Sequence, residues 1–150
     1  MIIKYSIEDV GGKGKGIIAQ EEITKGTKVW SIHAANYLEF KTKEELSAYL
    51  EKLPLEEQKL VLMHAYGNED KVHFCRDDSK YMNHSFEPNN GLVPELVDWD
   101  SLYALRDIKK GEELLEDYGT YTVVPWFEEI AKEKGVMSCI DLINHLKAQE

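Results

Sequence analysis

The sequence predicts an α+β domain that is mostly β. Three observations support this fold class: many short segments rich in β-branched and aromatic residues, two helical segments inserted among them, and a helical C-terminal part. With 150 residues, 43% of them hydrophobic, the chain has the composition of one globular domain with its own core. No repeat of fixed period occurs, which argues against a solenoid.

The first part of the chain alternates strands and turns. Residues 1–8 and 27–33 are rich in Ile, Val, Tyr and Trp, which is typical of strands. Between them the glycine-rich GGKGKG at 11–16 leads into a short strand at 17–19. That strand argues against a dinucleotide fingerprint, which requires a helix at this place. The loop is either a plain hairpin turn or a place where the backbone approaches something closely, since glycine lacks a Cβ.

Two helices are expected within residues 42–67. Thr42, followed three residues later by Glu45, forms a capping box that opens a helix. Pro54 begins a second helix, whose apolar residues follow a helical period and which we expect to end near Gly67. This region is interpreted as a helical insert.

Short strands return after the insert. Residues 72–74 predict a strand, and residues 92–97 and 102–106 predict a hairpin around the turn at 98–100. Residues 113–118 are expected to be extended.

The C-terminal part is predicted to be helical. A helix begins at Pro125 and breaks at Gly135. The chain resumes as a helix from Ser138, whose side chain can form a second capping box with Asp141.

The charge of the chain excludes one class of function. Its net charge of −10 is opposite to the basic surface that a general grip on nucleic acid requires. Half of the excess negative charge lies in residues 71–121, which is able to attract a basic partner or is simply a solvated face. No apolar run reaches the roughly 20 residues that span a bilayer, and the first residues lack a signal peptide, so we expect a soluble protein of the cytoplasm or nucleus.

Metal binding is not expected. Cys75 and Cys139 occur in no zinc-binding spacing, and a reduced pair of thiols is the simplest interpretation. His73, Cys75 and His84 together give fewer than the four ligands of a structural zinc site.

Three short motifs occur in order along the chain: GKG at 14–16, NHSFEPN at 83–89 and GEELLEDYG at 111–119. Together they resemble the GxG, NHSxxPN and ELxxDYG motifs of the SET-domain protein lysine methyltransferases. The resemblance extends from about residue 3 to residue 121.

The resemblance implies a fold of small curled β-sheets with a pseudoknot, in which the second motif passes beside the third. The SET domain would occupy residues 1–121, including the helical insert at about 42–67. Residues 122–150 would form a C-terminal helical segment that packs on the cofactor or substrate side.

The resemblance also implies S-adenosylmethionine as the cofactor, in a surface pocket. The backbone at Gly14, Lys15 and Gly16 would face its methionine part. The Asn83 side chain and the His84 backbone would hold its amino group and its adenine.

Tyr118 would be the catalytic residue, with its hydroxyl beside the transferred methyl of the cofactor. Tyr66, Tyr103 and Tyr121 are further candidates for the walls of a lysine channel. Trp126, at the head of the C-terminal helix, either anchors that helix or stacks on the adenine. Tyrosine suits such a channel because its ring packs around the lysine stem while its hydroxyl orients the amine.

The leading prediction is therefore an S-adenosylmethionine-dependent protein lysine N-methyltransferase. Its substrate would be a lysine in a basic protein or peptide, such as a histone tail or a ribosomal protein. The main alternative is a catalytically inactive SET-fold module that binds a protein partner. An acidic chaperone or nucleic-acid mimic would explain the charge but leaves the three motifs unexplained.

Overall fold

The computed structural model describes residues 1–33 and 35–150, whose elements are short strands, helices and single 3₁₀ turns. The strands, in chain order, are β1 (Tyr5–Asp9), β2 (Lys15–Ala19), β3 (Lys28–Ser31), β4 (Tyr37–Phe40), β5 (Tyr66–Asn68), β6 (Lys71–Cys75), β7 (Asn83–His84), β8 (Asn90–Gly91), β9 (Ser101–Ala104) and β10 (Leu115–Glu116). The α-helices are α1 (Lys43–Glu51), α2 (Leu55–His64), α3 (Pro125–Glu133) and α4 (Cys139–Ala148).

The chain divides into two compact units. The first combines Met1–Asn36 with Arg76–Asp117, and the second combines Tyr37–Cys75 with Tyr118–Glu150. The third motif thus begins in the first unit and ends in the second.

The first unit contains three small sheets. Strands β1 and β2 pair antiparallel, and β3, β9 and β8 form an antiparallel sheet in that order. Strands β7 and β10 pair in parallel, with Asn83 opposite Leu115 and His84 opposite Glu116. This pairing sets the second motif beside the third, as the resemblance implies.

The predicted hairpin at 92–106 is wrong in its first strand. Residues Pro94–Leu96 form a 3₁₀ turn, and β9 pairs instead with β3 and with the short β8. Pro94 explains the difference, because its ring removes the N–H that a strand would donate. Val97 follows in the left-handed region with φ of 51° and ends the turn.

The second unit is a three-stranded antiparallel sheet, in the order β4, β6, β5, with all four helices. Because neighbouring residues of a strand point to opposite faces, Phe40, Val72 and Phe74 share one face and lie in the hydrophobic core. Tyr66 and His73, opposite each other in the β5–β6 ladder, lie on the other face. The sheet therefore has an apolar face and an aromatic face.

The helix ends follow the predicted caps in most places. The Thr42 hydroxyl accepts from the Glu45 N–H at 3.2 Å, and Ser138 with Asp141 forms a complete capping box. Helix α2 ends at His64, earlier than predicted, because the chain enters β5 before Gly67. None of the helices in residues 1–33 and 35–150 is long and apolar enough to cross a membrane.

Candidate functional site

The glycine-rich loop is both a turn and a close approach, so the two interpretations of the sequence hold at different glycines. The Gly14 N–H donates to the Gly11 carbonyl at 2.9 Å, and both residues have positive φ, 76° and 74°. Glycine favours that backbone conformation because it lacks a Cβ. A Cβ on Gly14 would meet no atom within 4 Å, so here the backbone angle alone favours glycine.

Gly16 is favoured for a different reason. It is buried on β2 and its φ is not positive, yet a Cβ there would lie 2.6 Å from Glu113 Oε1 and 2.9 Å from Val10 Cγ1. The carboxylate of the third motif therefore lies directly against the backbone of the first.

Asn83 connects the same two motifs through its amide. Its Nδ2 donates to the Lys15 carbonyl oxygen at 2.9 Å and to Glu113 Oε1 at 2.8 Å. Both neighbours are acceptors only, so the NH₂ end of the amide must face them and the orientation is defined. Within the described part of the chain no group donates to Asn83 Oδ1, which remains available as an acceptor.

His84 contributes a buried ring beside Asn83. Its Nδ1 lies 3.7 Å from Asp117 Oδ1, and the Phe86 ring contacts it edge-on with centroids 4.4 Å apart. The ring therefore has structural neighbours, while the backbone belongs to the β7–β10 pair.

Asn89, the last residue of the second motif, had no predicted role and has a clear structural one. Its Nδ2 donates to the Glu113 carbonyl at 2.7 Å, and its Oδ1 accepts from the Leu115 N–H at 2.9 Å. A side-chain amide that pairs with backbone in this way replaces a strand partner. The signal in the sequence was its place in the motif alone.

Three of the four predicted channel tyrosines form one stack in the second unit. The rings of Tyr66 and Tyr121 lie 4.4 Å apart at 19°, and those of Tyr121 and Tyr118 lie 5.3 Å apart at 24°. His73 extends the stack, 5.6 Å from Tyr66 at 24°. The four rings form a continuous aromatic surface.

Tyr118 is supported from behind by the last helix. It begins the 3₁₀ turn Tyr118–Thr120, is buried, and belongs to a hydrophobic cluster with Cys139 and Ile143 of α4. The C-terminal helix therefore fixes the ring on which the stack ends.

His73 was considered in the sequence only as a metal ligand. Burial lowers the pKa of its imidazole to about 4, so the ring is neutral at physiological pH. Its Nε2 lies 3.9 Å from Glu39 Oε2, too far for a hydrogen bond. No group of three or more possible metal ligands occurs in residues 1–33 and 35–150.

Tyr103 and Trp126, two further predicted site residues, lie in other surroundings than the tyrosine stack. The Tyr103 hydroxyl, on β9 of the first unit, donates to Asp98 Oδ2 at 2.5 Å, and this bond is the main reason that the pKa of Asp98 falls to about 2. Trp126 is partly buried against the core of the second unit, beside Phe127. That packing is one of the two predicted roles, and the predicted stacking on adenine stays a prediction.

A sequence model of the SET domain matches residues 14–119, more than two thirds of the chain. The chain belongs to the SET-domain family. The match begins at Gly14, the first residue of the first motif, and ends at Gly119, the last residue of the third.

Two of the solved structures that match the chain are the following. The first is a Plasmodium falciparum protein described as a candidate histone methyltransferase, with 18% identity over 79% of this chain and 96% of that one, and a TM-score of 0.49. The second is the Neurospora SET-domain protein DIM-5, a histone lysine methyltransferase, with 22% identity and a TM-score of 0.49 over 78% of this chain and 52% of that one. No curated protein sequence matches the chain.

Proposed function

We propose that this SET-domain protein is an S-adenosylmethionine-dependent protein lysine N-methyltransferase. The observation that supports this most directly is the amide of Asn83. Both its N–H groups are used by Lys15 and Glu113, which leaves Oδ1 as an acceptor for the α-ammonium group of the cofactor. The absence of a side chain at Gly16, with Glu113 directly against it, fits a loop that presents backbone to a ligand.

The first unit would supply the cofactor contacts. When bound, S-adenosylmethionine supplies a methyl group on a sulfonium, which an uncharged amine can attack. The backbone at Gly14, Lys15 and Gly16 would hold the methionine part, Asn83 the amino group, and the His84 backbone the adenine. Because these groups are already fixed in position, less entropy is lost when the cofactor is aligned with the amine. Such alignment is a major part of the rate acceleration.

The second unit would supply the lysine contacts. A lysine amine has a pKa of about 10.4 in water and is protonated there. The stack of Tyr66, Tyr121 and Tyr118 offers aromatic surface, and burial against it would lower that pKa and favour the neutral nucleophile. The Tyr118 hydroxyl would orient the amine toward the methyl carbon.

The substrate would be a basic protein or peptide, such as a histone tail or a ribosomal protein. The net charge of −10 supports this class through electrostatic steering. Part of the acidic region is used internally, because Asp77 accepts from Trp30 and Asn36, and Asp98 lies 3.2 Å from the Lys28 ammonium. The charge therefore supports a class of substrate and not a particular sequence.

Calorimetric titration of the full chain with S-adenosylmethionine tests the first step. We expect saturable one-to-one binding, and its absence would remove the proposal. Radiolabelled cofactor with mixed core histones and, separately, ribosomal proteins then tests the transfer, with Tyr118→Phe as the control. Binding of the cofactor without label on any lysine would favour the inactive protein-binding module instead.

A further inference from the structure

We infer that Glu113 is a positioning residue for the cofactor, acting through Asn83, and that Lys13 closes the glycine-rich loop onto the same carboxylate. The inference rests on the proposed function and assigns a task to two side chains to which the motifs give none. It follows from three features of the first unit: the contacts of the Glu113 carboxylate, the difference between the oxygen and nitrogen ends of the Asn83 amide, and the location of Lys13.

The carboxylate of Glu113 has a separate partner for each oxygen. Oε1 accepts from Asn83 Nδ2 at 2.8 Å, and Oε2 accepts from Lys13 Nζ at 2.6 Å. The Glu113 side chain is 15% exposed, so its bond to Asn83 is largely shielded from water, whereas the Lys13 end of the other bond is open to solvent. Hydrogen bonds to a charged group in such a place are stronger than those between neutral groups.

The backbone of Glu113 is held as firmly as its side chain. It forms an antiparallel bridge with Ile18 of β2, and its carbonyl accepts from Asn89 Nδ2 at 2.7 Å. The carboxylate is therefore attached to a fixed point next to the loop.

The orientation of the Asn83 amide depends on this carboxylate. A flip of the amide would set Oδ1 against two acceptors, the Lys15 carbonyl and Glu113 Oε1, and would leave the NH₂ group facing the cofactor. An NH₂ group repels an ammonium, whereas Oδ1 attracts it. Glu113 raises the energy of the wrong orientation because its negative charge repels an amide oxygen.

Lys13 lies in the turn between the two strands β1 and β2, next to Gly14. Its side chain is 46% exposed, and its ammonium is the link from the tip of the turn to Glu113. Because one side of this pair is accessible to solvent, salt weakens it. The turn therefore closes by a bond that is able to open without unfolding the strands.

The test compares S-adenosylmethionine with a ligand that lacks its amino-acid part and its sulfonium charge. S-adenosylmethionine carries the ammonium, whereas 5′-methylthioadenosine keeps the adenosine and a thioether sulfur but lacks the amino-acid part. We would measure the affinity of both by calorimetry for the parent chain and for Glu113→Gln, which keeps the shape and removes the charge. Glu112→Gln is the matched control, because Glu112 pairs with Arg106 and Lys109 and not with Asn83.

Glu113→Gln is expected to bind S-adenosylmethionine about tenfold more weakly and 5′-methylthioadenosine within about twofold of the parent. Glu112→Gln should bind both as the parent does. Unchanged binding of S-adenosylmethionine by Glu113→Gln, or equal weakening of both ligands, would overturn the inference. Failure of the parent itself to bind S-adenosylmethionine is a separate result and would remove the proposed function.

Lys13→Met provides a second variant in case Glu113→Gln does not fold. Its side chain is partly exposed, so the fold should be retained, as circular dichroism and the melting temperature would show. We expect about threefold weaker binding of S-adenosylmethionine at low salt, and a smaller difference from the parent at 0.5 M salt. A difference that does not change with salt would contradict the role assigned to the Lys13–Glu113 pair.

Discussion

The candidate cofactor residues of the first unit and the aromatic stack of the second unit are held by different forces. In the first unit, Asn83 and Lys13 both donate to the Glu113 carboxylate, and Asn83 also donates to the Lys15 carbonyl, through directional hydrogen bonds. In the second, Tyr66, Tyr121 and Tyr118 are held by ring stacking and by the helix behind them. Hydrogen bonds fail when a single atom changes, whereas stacked rings tolerate the loss of a hydroxyl. A change of one atom should therefore damage the geometry of the candidate cofactor residues in the first unit, but only the chemistry of the stacked tyrosines in the second.

Tyr118→Phe should have the largest effect, on turnover alone. The ring and its cluster with Cys139 remain, but the hydroxyl that would orient the amine is lost. We expect kcat to fall about a hundredfold, with the affinity for S-adenosylmethionine within about twofold. Steady-state kinetics and calorimetry measure the two quantities. Tyr49→Phe, which removes a hydroxyl from a ring of α1 that packs beside Phe40, should leave both unchanged, and equal loss of kcat and cofactor affinity in Tyr118→Phe would contradict the assigned role.

Gly16→Ala tests the close packing of Gly16 against Glu113 in the first unit. The added Cβ would lie 2.6 Å from Glu113 Oε1, so the carboxylate must move. We expect about 1–3 kcal/mol loss of stability in urea denaturation and at least tenfold weaker cofactor binding. Gly12→Ala is the matched control because nothing lies within 4 Å of its added Cβ and its φ is not positive. Similar results for the two variants would show that the loop tolerates side chains at Gly16.

His73, at the end of the aromatic stack, should make the stability of the second unit depend on pH. Its pKa is lowered to about 4 by burial, below the ordinary value of 6.5, so the unfolded chain takes up a proton that the folded chain does not. The folded state is therefore favoured fully above pH 6.5, and this contribution is lost as the pH falls from 6.5 toward 4. His73→Phe, which retains an aromatic ring beside Tyr66, should lose about 2 kcal/mol less than the parent between pH 7 and pH 4. Urea denaturation at the two pH values measures this difference, and identical losses would show that the ring is not buried.

Ser138→Ala should have the smallest effect. It removes the cap of α4, the helix that supports Tyr118, and costs about 1 kcal/mol of stability. Thr42→Ala removes the cap of α1 and should cost a similar amount, but α1 is not part of the Tyr118 cluster. We expect Ser138→Ala to lower kcat a few-fold and Thr42→Ala to leave it unchanged. Equal kcat values for the two variants would show that α4 does not control the ring.

Much of the local structure could be predicted from the residues themselves. Thr42 with Glu45, and Ser138 with Asp141, are capping pairs whose chemistry acts over three residues, and the helices begin where these pairs predict. The hairpin predicted at 92–106 was wrong in its first strand. The apolar residues at 92–97 are typical of a strand, but Pro94 lacks the N–H that strand pairing requires. Local interactions were predictable where one short segment contains both partners.

The sequence by itself determined the family, the order of the motifs and the identity of the principal candidates, Asn83 and Tyr118. Those follow from residue types at fixed short spacings, which the chain carries without folding. Only the tertiary structure decided that Glu113 contacts Asn83, thirty residues earlier, and Lys13, one hundred residues earlier. It also decided that His73 extends the stack of tyrosines. Such contacts depend on strand pairing between distant segments, and no local pattern in the sequence specifies which distant residue a given carboxylate or ring will meet.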